Sequence, residues 1–205
     1  GVAAFDYEEG IICPGGIGYD INCSVRILKT NLMKKDLERK KNEAIEALFR
    51  AVPSGIGKGT KLKIDKKDLV EVLQKGARWA VQQGYGVKDD LDKTETQGEM
   101  KDADHKEISS KSIERGLHQL GSLGSGNHFL EIQYVDKILD KKTAKVFGLE
   151  PDQVVMMIHC GSRGLGHQVA SDFLKLMEDE YGFNHLPDRE LINAPLHSNL
   201  GQRYW

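Results

Sequence analysis

The sequence predicts an α+β fold, of the complex α/β kind, in which mixed sheets are flanked by helices. Three observations carry that expectation. Apolar residues recur at the helical period over 34–52, 66–84 and 167–181. An alternating stretch over 23–28 and an unbroken apolar run from Val154 to Ile158 read as strands. Helices and strands then follow one another without strict alternation, which disfavours a doubly wound parallel sheet.

The elements follow in order. The opening segment ends in Pro14-Gly15-Gly16-Ile17-Gly18-Tyr19-Asp20, a turn signal. Cys23, Val25 and Ile27 then alternate with Ser24, Arg26 and Leu28 as a strand. Leu37, Ala44, Ile45, Leu48 and Val52 form one helical stripe, stopped by Pro53. A second helix starts at Lys66 with Asp65 as its N-cap and closes near Gly84. Residues 87–112 are polar and read as an exposed connection, with one short helix over Ser109–Arg115. Phe129–Val135 reads as a strand, 136–147 as a short helix and Val154–Ile158 as a buried strand. The amphipathic helix over 167–181 comes after them. No repeat and no domain boundary is visible.

Composition excludes several classes. With 205 residues, 39% hydrophobic and 29% charged, the chain can bury a core and is not a disordered sequence. Its longest strongly apolar run, Val154–Ile158, is too short to span a bilayer, and no signal peptide opens it. The 29 basic and 31 acidic residues leave a net charge of −2, so any nucleic acid must bind through a local patch. Three cysteines without a C-x-x-C pair point to a reducing compartment, the cytoplasm, rather than a disulfide framework. The first residue is not Met and the last two are Tyr204-Trp205, which reads as a fragment of a larger protein.

The informative excess is glycine, 22 of 205 residues against about 7% in ordinary chains. Twelve fall in four clusters: Gly15, Gly16 and Gly18; Gly55, Gly57 and Gly59; Gly121, Gly124 and Gly126; Gly161, Gly164 and Gly166. Three of these adjoin residues able to hold a metal, namely Asp20 with Cys23, Asn127 with His128, and His159. Glycine admits positive φ and close backbone approach, so the pairing predicts an assembled site. Asp20 and Cys23 are three apart and can share an ion only if residues 20–23 turn. The plain alternative is an Asp in a turn beside a buried small Cys.

His159 ends the buried strand and opens Gly161-Ser162-Arg163-Gly164-Leu165-Gly166, which leads into a helix. Backbone N–H groups there suit an anion, and the Arg163 guanidinium can grip phosphate with two bonds. The order of residues is neither a Walker A loop nor a dinucleotide fingerprint. Lys58, Lys61, Lys63, Lys66 and Lys67 form the one dense basic stretch, read as a solvated surface with phosphate contact as the alternative. Cys13 and Cys160 read as packed thiols. Physical reasoning therefore reaches a metal centre of Asp20, Cys23, His128 and His159 beside a phosphate-binding loop, suited to phosphoryl or nucleotidyl transfer.

At these same residues the sequence resembles the RNA-splicing ligase RtcB family. The matching blocks are Gly1–Asp6, Pro14–Cys23, Gly124–Phe129 and His159–Val169, in order and over essentially the whole chain. The likeness is to the archaeal and eukaryotic branch. It implies the fold of that family, incomplete here, with 1–205 forming part of a single catalytic domain whose N-terminal and C-terminal portions are absent. It implies a ligase joining RNA 3′-phosphate or 2′,3′-cyclic phosphate ends to 5′-hydroxyl ends with GTP and Mn²⁺, as in tRNA splicing and RNA repair. One Mn²⁺ would sit on Asp20, Cys23 and His128, and a second on Cys23, His159 and a further histidine. Asn127, His128, Phe129, Leu130 and Glu131 would line the guanylate site, with Glu131 at the guanine edge and Phe129 beside the ring. Arg163 would hold a phosphate, RNA would be the substrate, and archease the assisting partner.

The family's guanylated histidine lies in a His-Gly-Ala-Gly-Arg motif that does not occur in these 205 residues. The expectation is that this chain alone does not form the covalent guanylate and is inactive by itself. Ser24 and Cys13 are smaller departures from the family pattern. Two other classes compete: a metal-dependent phosphohydrolase acting on RNA or nucleotide phosphates, and a non-catalytic module that binds metal and nucleotide. Ligand types alone would let Zn²⁺ outcompete Mn²⁺.

Overall fold

Proline and glycine stop several of the helices, the one ending at Ala51 before Pro53 and the one ending at Lys75 before Gly76 among them. The computed structural model describes residues 2–56 and 59–205. Gly1 of the first matching block, Gly57 of the second glycine cluster and Lys58 of the basic stretch lie outside the described residues. The strands are β1 (Ile11–Ile12), β2 (Ser24–Met33), β3 (Phe129–Tyr134), β4 (Gln153–Cys160) and β5 (Ala194–Pro195). The α-helices are α1 (Pro14–Ile17), α2 (Lys34–Glu38), α3 (Lys41–Ala51), α4 (Lys66–Lys75), α5 (Ala77–Gln82), α6 (Lys88–Asp92), α7 (Ser110–Gln119), α8 (Lys141–Phe147), α9 (Arg163–Tyr181) and α10 (Asn199–Tyr204). Both sheets are antiparallel and the helices lie outside them in sequence, which is the α+β class. No helix among the described residues is long and apolar enough to cross a membrane.

Two of the three helical stripes predicted as single rods are each broken once, and the third is continuous in α9. Lys40 leaves the helical region at φ −125° and separates α2 from α3. Gly76, counted in the stripe of the second helix, takes φ 56° and ψ −134° and divides α4 from α5. Its positive φ suits a residue without Cβ, and a Cβ there would strike the Gly98 carbonyl. Asp65 caps α4 by accepting from the N–H of Lys67 at 2.7 Å and Asp68 at 3.0 Å. Asp68 returns the bond to the Asp65 N–H, closing a capping box. The polar stretch over 87–112 carries α6 and two short 3₁₀ turns, more order than its composition advertises.

By contact the chain divides into two interleaved units. The first comprises Gly1–Ile21, Leu62–His118 and Gly164–Trp205. Its core is set by α9, where Ala170, Phe173, Leu174 and Met177 recur at helical spacing and are buried. Ile12, Ile192, Ala194, Leu196 and Leu200 close around them. β1 pairs with β5, Ile12 opposite Ala194, so the opening segment is tied to residues near the other end of the sequence. Ser109 donates to Asp172 at 2.6 Å, and Gln168 donates to the same carboxylate at 2.7 Å, so the buried Gln168 is paired within this unit.

The second unit comprises Asn22–Lys61 and Gln119–Arg163. Its sheet has the order β2-β4-β3, with β4 in the centre. β4 carries the apolar run that predicted a buried strand, and extends two residues past it through His159 to Cys160. α3 ends at Ala51, and the extended Val52 precedes Pro53 as proline requires. Lys61, one of the basic stretch, caps that end by donating to the carbonyls of Arg50 and Ala51.

Candidate metal centre

The register of the second unit's sheet brings the chemistry together. On β4, His159 lies opposite Val25 of β2 on one side and Phe129 of β3 on the other. Cys23 immediately precedes β2, and His128 immediately precedes β3. One end of the sheet therefore receives a thiol from one neighbour and an imidazole from the other, with His159 between them.

Cys23 Sγ lies 2.9 Å from His159 Nε2 and 3.5 Å from His128 Nε2. The three donor atoms lie within 4.8 Å of one another. A tetrahedral ion bound to sulfur at ~2.3 Å and imidazole nitrogen at ~2.0–2.1 Å separates these donors by about 3.5 Å. The set therefore fits a single divalent ion after small side-chain adjustment. His159 Nδ1 is 2.8 Å from the Asn127 carbonyl oxygen. A carbonyl only accepts, so Nδ1 carries the proton and Nε2 keeps its lone pair toward Cys23. The tautomer a metal needs is thus set by the backbone.

His128 is positioned by glycine. A Cβ on buried Gly124 would lie 1.7 Å from His128 Nδ1 and 2.7 Å from its Cγ and Cε1. Only a residue without a side chain lets the ring take this place. The two imidazoles meet edge to face, with centroids 5.2 Å apart, and Phe129 adds a third ring 5.4 Å from His159.

The remaining expected residues distribute as follows. Residues 19–22 do bend and turn before β2. Asp20 lies in the first unit, outside the three-residue grouping. Phe129 and Glu131 alternate onto one face of β3, and Leu130 onto the other. Gln133 donates to the Glu131 carboxylate at 2.6 Å. Asn127 is exposed, and its backbone oxygen serves His159. The segment Gly161–Gly166 is not an open loop, because α9 begins at Arg163, four residues earlier than its apolar period indicates. Arg163 donates from Nη2 to the Gly55 carbonyl at 2.5 Å. Sequence reasoning missed the work of Gly55, Gly124 and the Asn127 carbonyl. Clustered glycines were a signal for the first two, and nothing short of strand register reveals the third.

An α+β chain presenting one thiol sulfur and two imidazole nitrogens at a sheet end has the mixed donor set of the class able to hold a divalent metal ion. Comparison with known proteins narrows that class. The family model described as tRNA-splicing ligase RtcB matches residues 1–205. Proteins named tRNA-splicing ligase RtcB from Methanococcus maripaludis and Thermococcus kodakarensis are each 52% identical over 208 residues. One of the same name from Pyrobaculum aerophilum is 53% identical over 208 residues. In all three the match covers 100% of this chain and 43% of the relative, so the chain spans less than half their length. The chain belongs to the RtcB family.

Proposed function

We propose that this chain forms the metal-binding part of an RNA ligase. The whole enzyme would join RNA 3′-phosphate or 2′,3′-cyclic phosphate ends to 5′-hydroxyl ends, using GTP and Mn²⁺, in tRNA splicing and RNA repair. The observation that carries the reading is the approach of Cys23 Sγ to His159 Nε2 and His128 Nε2, at 2.9 and 3.5 Å, in a chain matched end to end by the family. A divalent cation, when bound, would neutralise the charge that gathers during phosphoryl and nucleotidyl transfer.

The chain's own residues divide the work. Cys23 supplies a thiolate, His128 and His159 supply neutral imidazoles, and Asp20 adds the carboxylate. Asn127 holds the His159 tautomer through its backbone oxygen. Phe129 flanks the guanine ring and the Glu131 carboxylate accepts from the guanine N–H edge, held in place by Gln133. The family's guanylated histidine motif is not in this sequence, so the chain binds metal without itself forming the phosphorus–nitrogen bond. The working environment is the reducing cytoplasm, where Cys23 is kept from oxidation, with archease as the assisting partner.

The test uses radiolabelled GTP with Mn²⁺, and an RNA pair bearing a 2′,3′-cyclic phosphate and a 5′-hydroxyl. The whole enzyme joins the pair only with GTP, whereas the 205-residue chain binds the ion and takes up no label. Phosphate release from the RNA ends without GTP would overturn the ligase reading in favour of a phosphohydrolase. A labelled 205-residue chain would overturn the division of labour.

A further inference from the structure

We propose that Arg163 is a positioning residue for the metal centre, acting on His128 through two glycine segments. The inference rests on the reading of Cys23, His128 and His159 as metal ligands, and it assigns Arg163 a different task from gripping phosphate.

Arg163 holds a left-handed φ of 56°, rare for a residue with a side chain. Such a conformation persists where the surroundings over-determine it. Its Nη2 donates to the Gly55 carbonyl at 2.5 Å, across 108 residues of sequence. Its Nε is buried without an acceptor. Arginine grips an oxyanion bidentately through the Nε–Nη2 edge or the Nη1–Nη2 edge. Gly55 takes one of the two Nη2 hydrogens, which anchors the guanidinium to that peptide and leaves at most one of the two edges for an anion.

From Gly55 the path continues through backbone. Gly55, at φ 105°, donates its N–H to the carbonyls of Leu123 at 3.1 Å and Gly124 at 3.3 Å. Leu123 returns a bond to the Pro53 carbonyl at 2.8 Å, and Ser54 bridges Leu123 in parallel. Gly124 is the residue on which the His128 ring rests, with no room for a Cβ. The guanidinium, the Gly55 peptide, the Gly124 peptide and the imidazole are therefore in serial contact. None of the intermediate groups has a flexible side chain to absorb a displacement. The assignment also gives a task to Gly55 of the second glycine cluster, which the chemistry of transfer leaves unexplained.

The experiment compares wild type with Arg163→Met, which keeps the stem and removes the donors, and with Arg163→Lys. Co²⁺ serves as the probe, because thiolate–Co²⁺ charge transfer and the d–d bands report ligand arrangement without turnover. Affinity for a fluorescent RNA oligonucleotide with a 3′-phosphate is measured in parallel, without metal. Removing a group that orients a ligand costs about 10–100-fold in metal affinity. Arg163→Met is expected to lose at least about tenfold in Co²⁺ affinity and to shift the d–d bands. Metal-free RNA affinity is expected to stay at the wild-type value, and Arg163→Lys to recover part of the loss through its one ammonium. Should Arg163→Met not fold, Arg163→Lys decides: a shifted Co²⁺ spectrum supports positioning. An unchanged Co²⁺ spectrum and affinity with weakened RNA binding would overturn the proposal and return Arg163 to phosphate. Absence of the charge-transfer band in wild type would instead sink the metal reading itself, an outcome distinct from either.

Discussion

The two units of the chain solve different problems with similar sequence material. The first unit holds twelve of the fourteen buried hydrophobic side chains among the described residues, from Ile12 to Leu200, and the second holds only Val154 and Val155. In the second unit, β2 shows Val25, Ile27, Leu28 and Leu32 on its surface, each about half exposed. Its distinguishing feature is polar, the convergence of a sulfur and two imidazoles beside the glycine segments of Gly55 and Gly124. One unit is organised mainly around buried apolar side chains, the other around the backbone hydrogen bonds of its sheet and a set of donors able to hold an ion. Burial sets stability roughly in proportion to area, whereas a ligand site contributes only when its ligand is present.

The sharpest way to break this contrast is to remove one side chain from each unit. Phe173 is 2% exposed, and Phe173→Ala should lower the unfolding free energy by ~3–5 kcal/mol in urea titrations. Leu28 on β2 is 49% exposed, and Leu28→Ser should change it by no more than about 0.5 kcal/mol. Equal losses would mean that the β2 face is covered in solution and that the contrast is one of exposure in the isolated chain only.

The next effect belongs to the second unit alone. A divalent ion at a hundred times its dissociation constant should add about 2.7 kcal/mol to whatever unfolds with the site. Segment-resolved hydrogen exchange should then show Zn²⁺ slowing β3 and β4 while leaving α9 unchanged. Cys23→Ser should abolish the protection, since it removes the sulfur that both imidazoles approach. Protection spread evenly over both units would show that they unfold as one.

How much of this was legible beforehand differs between the units in the same way. Apolar spacing is periodic, so α3, α4 and α9 and the run of β4 could be read directly, although α3 buries none of its residues. Their interruptions could not, because Lys40 has an ordinary helix propensity and Gly76 fell on the apolar stripe. The start of α9 was hidden by Gly164 and Gly166, which in sequence resemble a loop and in the structure are buried within the helix. Cys23, His128 and His159 stood out because glycine clusters adjoin them, which is a local signal. The Asn127 carbonyl on His159 and the Arg163 bond to Gly55 depend on register and on contacts over 32 and 108 residues. No window of sequence contains them.

A third test follows from Tyr204 in the first unit. Burial, with a smaller contribution from Cys13, pushes its phenol from 10.0 up to about 12, and its buried hydroxyl has no hydrogen-bond partner. The folded state therefore favours the neutral phenol more than the unfolded state does. Stability from this group is complete below pH 10 and is lost as the pH rises from 10 toward 12. Tyr204→Phe should remove that alkaline loss in thermal melts and be neutral or slightly stabilising at pH 7, since an unpaired buried hydroxyl disappears. A melting profile unchanged above pH 10 would show that the hydroxyl reaches water.

The smallest expected effect gives the most closely matched comparison, because each unit contains a helix capped by an aspartate. Asp65 on α4 is held below its ordinary 3.8 by the N–H groups of Asp68 and Lys67. Asp140 on α8 is held below the same value by the Thr143 N–H, then the Thr143 hydroxyl and the Lys142 N–H. For a depressed carboxyl the stabilisation is complete above 3.8 and is lost as the pH falls through the lower folded value. Asn at either site keeps an acceptor for the helix N-terminus but no longer titrates, so both variants should flatten the acid limb and change little at pH 7. The two should differ in reach. α4 carries Leu69, which is 1% exposed, so protonating Asp65 loosens a helix anchored in the first unit's packing and should shift the global acid midpoint. α8 buries none of its residues, so protonating Asp140 should free only its own turn, seen as faster exchange at Lys142 and Thr143 with the midpoint unmoved. Equal shifts from the two variants would mean that the second unit transmits a local loss as completely as the first. Stability in the second unit would then be cooperative despite its small core.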